Sequence, residues 1–235
     1  MPTLEARAKV NLGLAALGAG PDNLVYRAAE RYLERCRTLT GEARGVALHL
    51  VKRIPIAAGF GGGSSNAAAA LRGLASLYPA PINLLELGAV LGSDVPFFVQ
   101  DASAAWGSGR GEQLEPASLP PLALVLVNPG VPVSAGEAYG ALERLDPPLA
   151  RARLLAELAR GAEPSYRNSL EPGVLRRYPA VGEVLAALRA EGLRGVLMSG
   201  SGSSCFGLAR DAAGAERAAR SLARPGWWVS AARTG

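Results

Sequence analysis

Long apolar runs are missing from this chain of 235 residues. No stretch of 18 uncharged apolar residues occurs, so the sequence offers no membrane-spanning helix, and its start lacks the pattern of a secretory leader. Cysteine is scarce. Cys36 and Cys205 are the only two, too few for a disulfide framework, and a reducing cytoplasmic setting is expected. Histidine is scarcer still. His49 stands alone, which leaves a Ser-His-Asp triad without support and a Cys/His zinc site without ligands. His49 reads as a structural residue of a strand. Lysine is the least expected gap: of 25 basic residues only Lys9 and Lys52 are lysine, the rest being arginine. Where arginine serves almost everywhere, a surviving lysine marks a position that calls for a compact point charge rather than a planar fork, with chance as the alternative.

The chain is rich in hydrophobic residues (49%) and modest in charge (19%), enough to bury a core as one large domain or two small ones. Its net charge of +5 is spread along the chain. A diffuse positive field suits phosphorylated small molecules as well as nucleic acid, and the aromatic–basic patches that stack RNA bases are not evident.

Glycine is abundant, and its placement organises the reading. Gly59, Gly61, Gly62 and Gly63 fall within five residues, inside Pro55-Ile56-Ala57-Ala58-Gly59-Phe60-Gly61-Gly62-Gly63-Ser64-Ser65. Ala67, Ala70, Leu71, Leu74 and Tyr78 then recur at helical spacing until Pro79 and Pro81. A glycine loop feeding a helix combines close backbone approach with unpaired N–H groups at the positive end of a helix dipole, an anion pocket for a phosphate. Within it Gly62 is expected at positive φ. A merely flexible loop is the alternative. The run is not a P-loop, because Gly63 is followed by Ser64 rather than Lys. Nor is it a dinucleotide fingerprint, because Glu86 lies in the next helix rather than at a strand end.

Taken in order, residues 4–14 alternate as a half-buried strand that sets Lys9 and Asn11 side by side. Asp22-Asn23 opens a helix to about Cys36, and residues 45–51 read as a second strand. Asn83 and Glu86 open a short helix ending at Gly92, a natural C′ glycine. Asp94 follows ahead of an apolar segment, 95–99, expected as a strand. An acid there is either a turn residue or a base held at a cleft. Residues 103–114 read as a strand and tight turn. Pro116 to Pro121 is the best boundary, giving domains 1–118 and 119–235. Beyond it come a strand at 122–127, helices near 134–145, 151–160 and 179–191, and a strand–loop–strand at 196–208 whose loop is Ser199-Gly200-Ser201-Gly202-Ser203-Ser204. That loop either closes over an anion or is a turn of small residues. A helix at 211–224 and a strand at 227–231 complete the chain.

Three segments together resemble the GHMP kinase superfamily, which includes galactokinase, homoserine kinase and mevalonate kinase: Ala8-Lys9-Val10-Asn11-Leu12, the Pro55–Ser65 glycine loop, and Ser199–Ser204. The Gly92-Ser93-Asp94-Val95-Pro96 box, Asp22-Asn23-Leu24 and Asn168-Ser169-Leu170-Glu171 extend the likeness over nearly the whole chain. The resemblance implies an α/β (α+β two-layer) fold of two domains with the active site in the cleft between them. It implies a cytoplasmic kinase using ATP and Mg²⁺ on a small-molecule substrate, a cytidine diphosphate-linked methylerythritol. It implies no nucleic acid or membrane partner and a monomer or weak homodimer. By carry-over, Asp94 is the general base and Lys9 its partner. Pro55, Ile56, Ala57, Ala58, Gly59, Phe60, Gly61, Gly62, Gly63, Ser64 and Ser65 hold the ATP phosphates, with Asn23 and Lys52 near the adenine. Asn11, Ser201 and Gly202 face the substrate, Ser64 or Ser65 helps with Mg²⁺, and no metal ligand is assigned. One departure stands out. The Gly-Tyr-His element that holds the cytidine base in these kinases is absent after the first strand, where Gly18-Ala19-Gly20-Pro21-Asp22 leads directly to the helix. Other readings are a different GHMP kinase such as a homoserine kinase, a non-catalytic nucleotide or RNA binder of the same fold, or a kinase that has lost its substrate clamp.

Overall fold

The computed structural model describes residues 23–56, 58–100, 102–109 and 113–234. The strand expected over residues 4–14, with Lys9 and Asn11, lies outside them. The described residues group into two compact units, one up to Ile54 and over Gly61–Ser118, the other Pro55–Phe60 with the chain from Leu119 onward.

The first unit is mainly helical. Helix α1 (Leu24–Thr40) is capped by Asn23, whose side chain accepts from the Val25 N–H at 2.9 Å, and ends at Gly41 in the left-handed region. It lies against α2 (Gly62–Leu77), which is joined by α3 (Leu84–Leu91) and α4 (Val95–Val99). Their shared core holds Ala28, Ala29, Tyr32 and Cys36 of α1, Ala67, Ala68, Leu71 and Leu74 of α2, and Leu91, Val95 and Phe98. Small alanines on both helices let the two backbones come close. Leu71 and Leu74 are fully buried, each contributing about 1.5–3 kcal/mol of transfer free energy. The Tyr32 hydroxyl donates to the Tyr78 carbonyl at 2.8 Å, satisfying an acceptor past the end of α2. A two-stranded antiparallel hairpin, β1 (Ala105–Ser108) with β2 (Gln113–Pro116), closes the unit.

Two expectations are corrected here. Residues 45–51 form no strand among the described residues; a strand exists only by its ladder partner, and no described segment pairs with this one. Residues 95–99 are a helix, not a strand. A short apolar run reads equally well as buried helix, and Pro96 is at home in a first helical turn, where its missing N–H costs nothing. Val95 and Phe98, three apart, bury the same face.

The second unit is a four-stranded antiparallel sheet in the order β4 (Arg194–Met198), β5 (Cys205–Ala209), β3 (Ala123–Asn128), β6 (Trp228–Arg233). Helices α8 (Pro179–Ala190) and α9 (Ala212–Leu222) pack on the sheet. Val181, Val184, Leu185 and Leu188 of α8 and Ala215, Ala218 and Leu222 of α9 meet Val125, Val127, Met198 and Cys205. The layers are thus one of helices and one of antiparallel strands, the α+β arrangement. Helices α5 (Ala135–Gly140), α6 (Arg151–Ala159) and α7 (Glu171–Arg177) fill the connection between β3 and α8. A full capping box starts α5: Ser134 accepts from the Glu137 N–H, and Glu137 accepts from the Ser134 N–H.

Candidate active site

The start of α2 is the site's frame. Gly61 is its N-cap at φ 65°, in the left-handed region, and makes no side-chain cap. The first-turn N–H groups of any helix lack intrahelical partners, and no acidic residue occupies this first turn. The positive end of the helix is therefore left for an external anion. Gly62 and Gly63 are the first helical residues, so the expectation of positive φ at Gly62 is overturned; Gly59 and Gly61 carry it. Gly62 is small for another reason: a Cβ there would meet the Ile54 side chain at 3.3 Å. A Cβ on Gly63 would meet the Leu24 side chain at 3.4 Å, so the three glycines of the turn serve three different ends.

Asp94 stands beside this turn. A Cβ on Gly61 would lie 3.5 Å from Asp94 Oδ2 and 3.0 Å from the Phe98 ring. Asp94 is the N-cap residue of α4 but makes no capping bond with its side chain, so the carboxylate is not engaged by the backbone it precedes. Half-buried Ser64 lies over Gly92, its Oγ 3.9 Å from where a Cβ would stand. Gly92 is extended, at φ 175°, and not the left-handed C′ glycine expected. Ser65 is buried at 1% exposure within α2, which leaves Ser64 as the accessible hydroxyl of the pair. Lys52 precedes buried Ile54, and burial lowers its ammonium pKa below the ordinary lysine range. Asn23 is occupied as the cap of α1.

Pro55 to Phe60 belongs to the second unit. Ala58 and Phe60 are buried, and the Phe60 ring lies 6.2 Å from that of Trp228 on β6. Ile56 is exposed, Pro55 half-buried, and Ala57 lies outside the described residues. Gly59, at φ 73°, is pressed on the Ser199–Ser204 loop: a Cβ would fall 2.2 Å from the Ser199 carbonyl oxygen and 2.9 Å from that of Gly202. The Ser199 hydroxyl donates to the Gly59 carbonyl at 2.9 Å. Ser201 is half-buried at the tip, and Gly202 is buried at φ 85°.

Sequence reasoning missed the residues that hold this loop. Buried Asn128 donates through Nδ2 to the Ser204 and Ser203 hydroxyls at 2.8 and 3.2 Å. Asn168 Nδ2 donates to the Met198 and Gly200 carbonyls at 2.9 and 2.7 Å. Asn128 sits in an Asn-Pro-Gly turn and reads locally as a turn residue. Asn168 belongs to a segment that resembles the family, with nothing in it to show what it touches. Among the described residues no group of three His, Cys, Asp or Glu could cage a metal ion, and no helix is long and apolar enough to cross a membrane.

A helical unit opened by an uncapped glycine turn and a separate antiparallel α+β unit are the two parts of a kinase of the GHMP class. Residues 23–101 match the model of the GHMP kinases N terminal domain, and residues 147–226 that of the GHMP kinases C terminal. A 4-diphosphocytidyl-2-C-methyl-D-erythritol kinase of Deinococcus radiodurans is 52% identical over 221 residues, 90% of this chain and 72% of that one. The crystal structure of a 4-(cytidine 5'-diphospho)-2C-methyl-D-erythritol kinase superposes with a TM-score of 0.82 at 45% identity, covering 96% of this chain and 84% of that one. A homoserine kinase from Cytophaga hutchinsonii superposes at 0.60 with 19% identity over 91% and 76%, a likeness of fold alone. The chain belongs to the 4-diphosphocytidyl-2-C-methyl-D-erythritol kinase family, a branch of the ATP-dependent GHMP kinases.

Proposed function

We propose that this kinase transfers the γ-phosphoryl group of ATP to the 2-hydroxyl of 4-diphosphocytidyl-2-C-methyl-D-erythritol, a step of non-mevalonate isoprenoid biosynthesis. The observation that supports it most is the left-handed Gly61 at the open N-terminus of α2, with the Asp94 carboxylate alongside. Phosphoryl transfer asks a protein for three things: in-line placement, neutralised phosphate charge, and a group to take the hydroxyl proton. The amides of Gly61 to Ser64 place and neutralise the phosphates. Asp94 accepts the hydroxyl proton as the alcohol oxygen attacks. Lys9 acts as the partner of Asp94 and balances charge on the moving phosphoryl group.

Mg²⁺ is held mostly by the nucleotide's own oxygens in such reactions, with few protein groups. The Ser64 hydroxyl is the group that would meet the ion, and when bound the ion offsets phosphate charge. Asn23 and Lys52 lie toward the adenine. Asn11, Ser201 and Gly202 face the erythritol. Residues 1–118 serve as the ATP-binding and catalytic domain and residues 119–235 as the substrate side.

Incubation with ATP, Mg²⁺ and 4-diphosphocytidyl-2-C-methyl-D-erythritol, followed by mass analysis, tests the proposal. One added phosphate is the expected product. An unmodified acceptor, with homoserine phosphorylated instead, contradicts it.

A further inference from the structure

We infer that Asn168 is a positioning residue for this reaction, acting through the Ser199–Ser204 loop on the chain that enters the phosphate turn; the inference rests on the kinase reading above. Asn168 lies just ahead of α7. Its Oδ1 accepts from the Leu170 N–H at 3.0 Å, which fixes which end of the amide faces the loop. Its Nδ2 group then donates to two carbonyls at once, those of Met198 and Gly200, on either side of Ser199. Glu171 takes the remaining polar group of Met198, accepting its N–H at 2.8 Å. The peptide that joins Met198 to Ser199 and the one that joins Gly200 to Ser201 are thus both pinned from one helix start.

What this pinning holds in place is Gly59. The Ser199 hydroxyl donates to the Gly59 carbonyl, and the Ser199 carbonyl oxygen occupies the space where any side chain on residue 59 would begin. Gly59 is left-handed, as is Gly61 two residues on. A backbone with two consecutive-but-one residues in that region has many ways to relax, and only outside contacts select one. Phe60 between them is fixed by its burial against Trp228. The path from Asn168 to the amides that receive phosphate therefore runs through Ser199 and Gly59 and then along the chain itself. Asn168 touches no reacting atom. It sets the entry angle of the turn.

The test uses the full chain and three variants: Asn168→Ala, Asn168→Asp and Ser199→Ala. Asn168→Ala removes both donors, and Asn168→Asp places an anion against two carbonyls. Ser199→Ala breaks only the bond to Gly59 and serves where an Asn168 variant fails to fold. We expect kcat to fall about 10- to 100-fold in Asn168→Ala, the scale of a small misplacement of reacting groups. Asn168→Asp falls further, and Ser199→Ala moves the same way by less. Amide hydrogen exchange is read in parallel, and is expected to quicken at residues 59–65 and 199–202 while the β3 and β6 strands keep their protection. Wild-type kcat and exchange in folded Asn168→Ala or Ser199→Ala overturn the inference. So does faster exchange spread evenly through the whole sheet, which marks a merely structural role. Should the wild-type chain phosphorylate no acceptor, the functional reading fails, while exchange at residues 59–65 still decides whether Asn168 governs the turn.

Discussion

Gly61 and Asp94 share one space: a side chain on the first would begin 3.5 Å from Oδ2 of the second. The glycine's missing side chain keeps open the ground next to the carboxylate, at the point where α2 begins and its dipole is positive. A phosphate bound on the turn and a hydroxyl bound at the acid would meet there.

Replacing Asp94 with Asn keeps the size and removes the base. The expected loss in kcat is at least ~10²-fold, the lower range for general-base catalysis, with ATP affinity largely kept. Steady-state kinetics paired with calorimetric ATP titration read the two separately. Turnover at the wild-type rate removes Asp94 from the chemistry.

Gly61→Ala and Gly62→Ala separate conformation from packing. Gly61 is left-handed with the Phe98 ring at 3.0 Å from the new Cβ, whereas Gly62 is helical and meets the Ile54 side chain at 3.3 Å. A left-handed alanine costs about 1–2 kcal/mol before any clash. Gly61→Ala is expected to lower Tm and to weaken ATP binding more than Gly62→Ala does. Equal, unchanged ATP affinities in both would mean that the turn does not hold phosphate.

Lys9→Arg keeps the charge and changes its shape. A planar fork does not reproduce a compact point charge, so kcat is expected to fall if Lys9 partners Asp94 as proposed. Full activity would show that the scarcity of lysine in this chain carries no functional message.

Stability in acid depends on Glu157. The Arg153 guanidinium, at 2.7 Å, and the Ser165 N–H, also at 2.7 Å, hold its carboxyl down to about 2 from an ordinary 4.5. A depressed folded-state pKa gives stability that is fully present above about 4.5 and is lost as pH falls through 2. Glu157→Gln is therefore expected to lower Tm at pH 7 and to flatten the fall of Tm between pH 5 and about 2. Thermal melts across that range check it, and an unchanged acid slope contradicts it.

Local patterns were legible in the sequence where the cause was local. The glycine run followed by Ala67, Leu71 and Leu74 announced a turn and a helix, and both are there. Apolar segments announced β3, β4 and β5. The reading failed where the cause lay elsewhere in the chain. Val95 to Val99 is helical because Val95 and Phe98 both bury against α2, which a five-residue apolar run does not reveal. The assignment of positive φ to Gly62 failed because three glycines in a row give no hint of which one makes the turn. The bond from Ser199 to Gly59 spans 140 residues, and that from Asn168 to Gly200 spans 32. No spacing rule reaches either, so the supports of the second loop stayed hidden although the loop itself was found.

The most direct measurement is a crystal structure with Mg²⁺ and a non-hydrolysable ATP analogue. The account predicts β- and γ-phosphate oxygens within hydrogen-bond reach of the amides of Gly61 to Ser64, with the γ-phosphate beside Asp94. A triphosphate bound away from the start of α2, or a turn packed shut against it, would contradict the account.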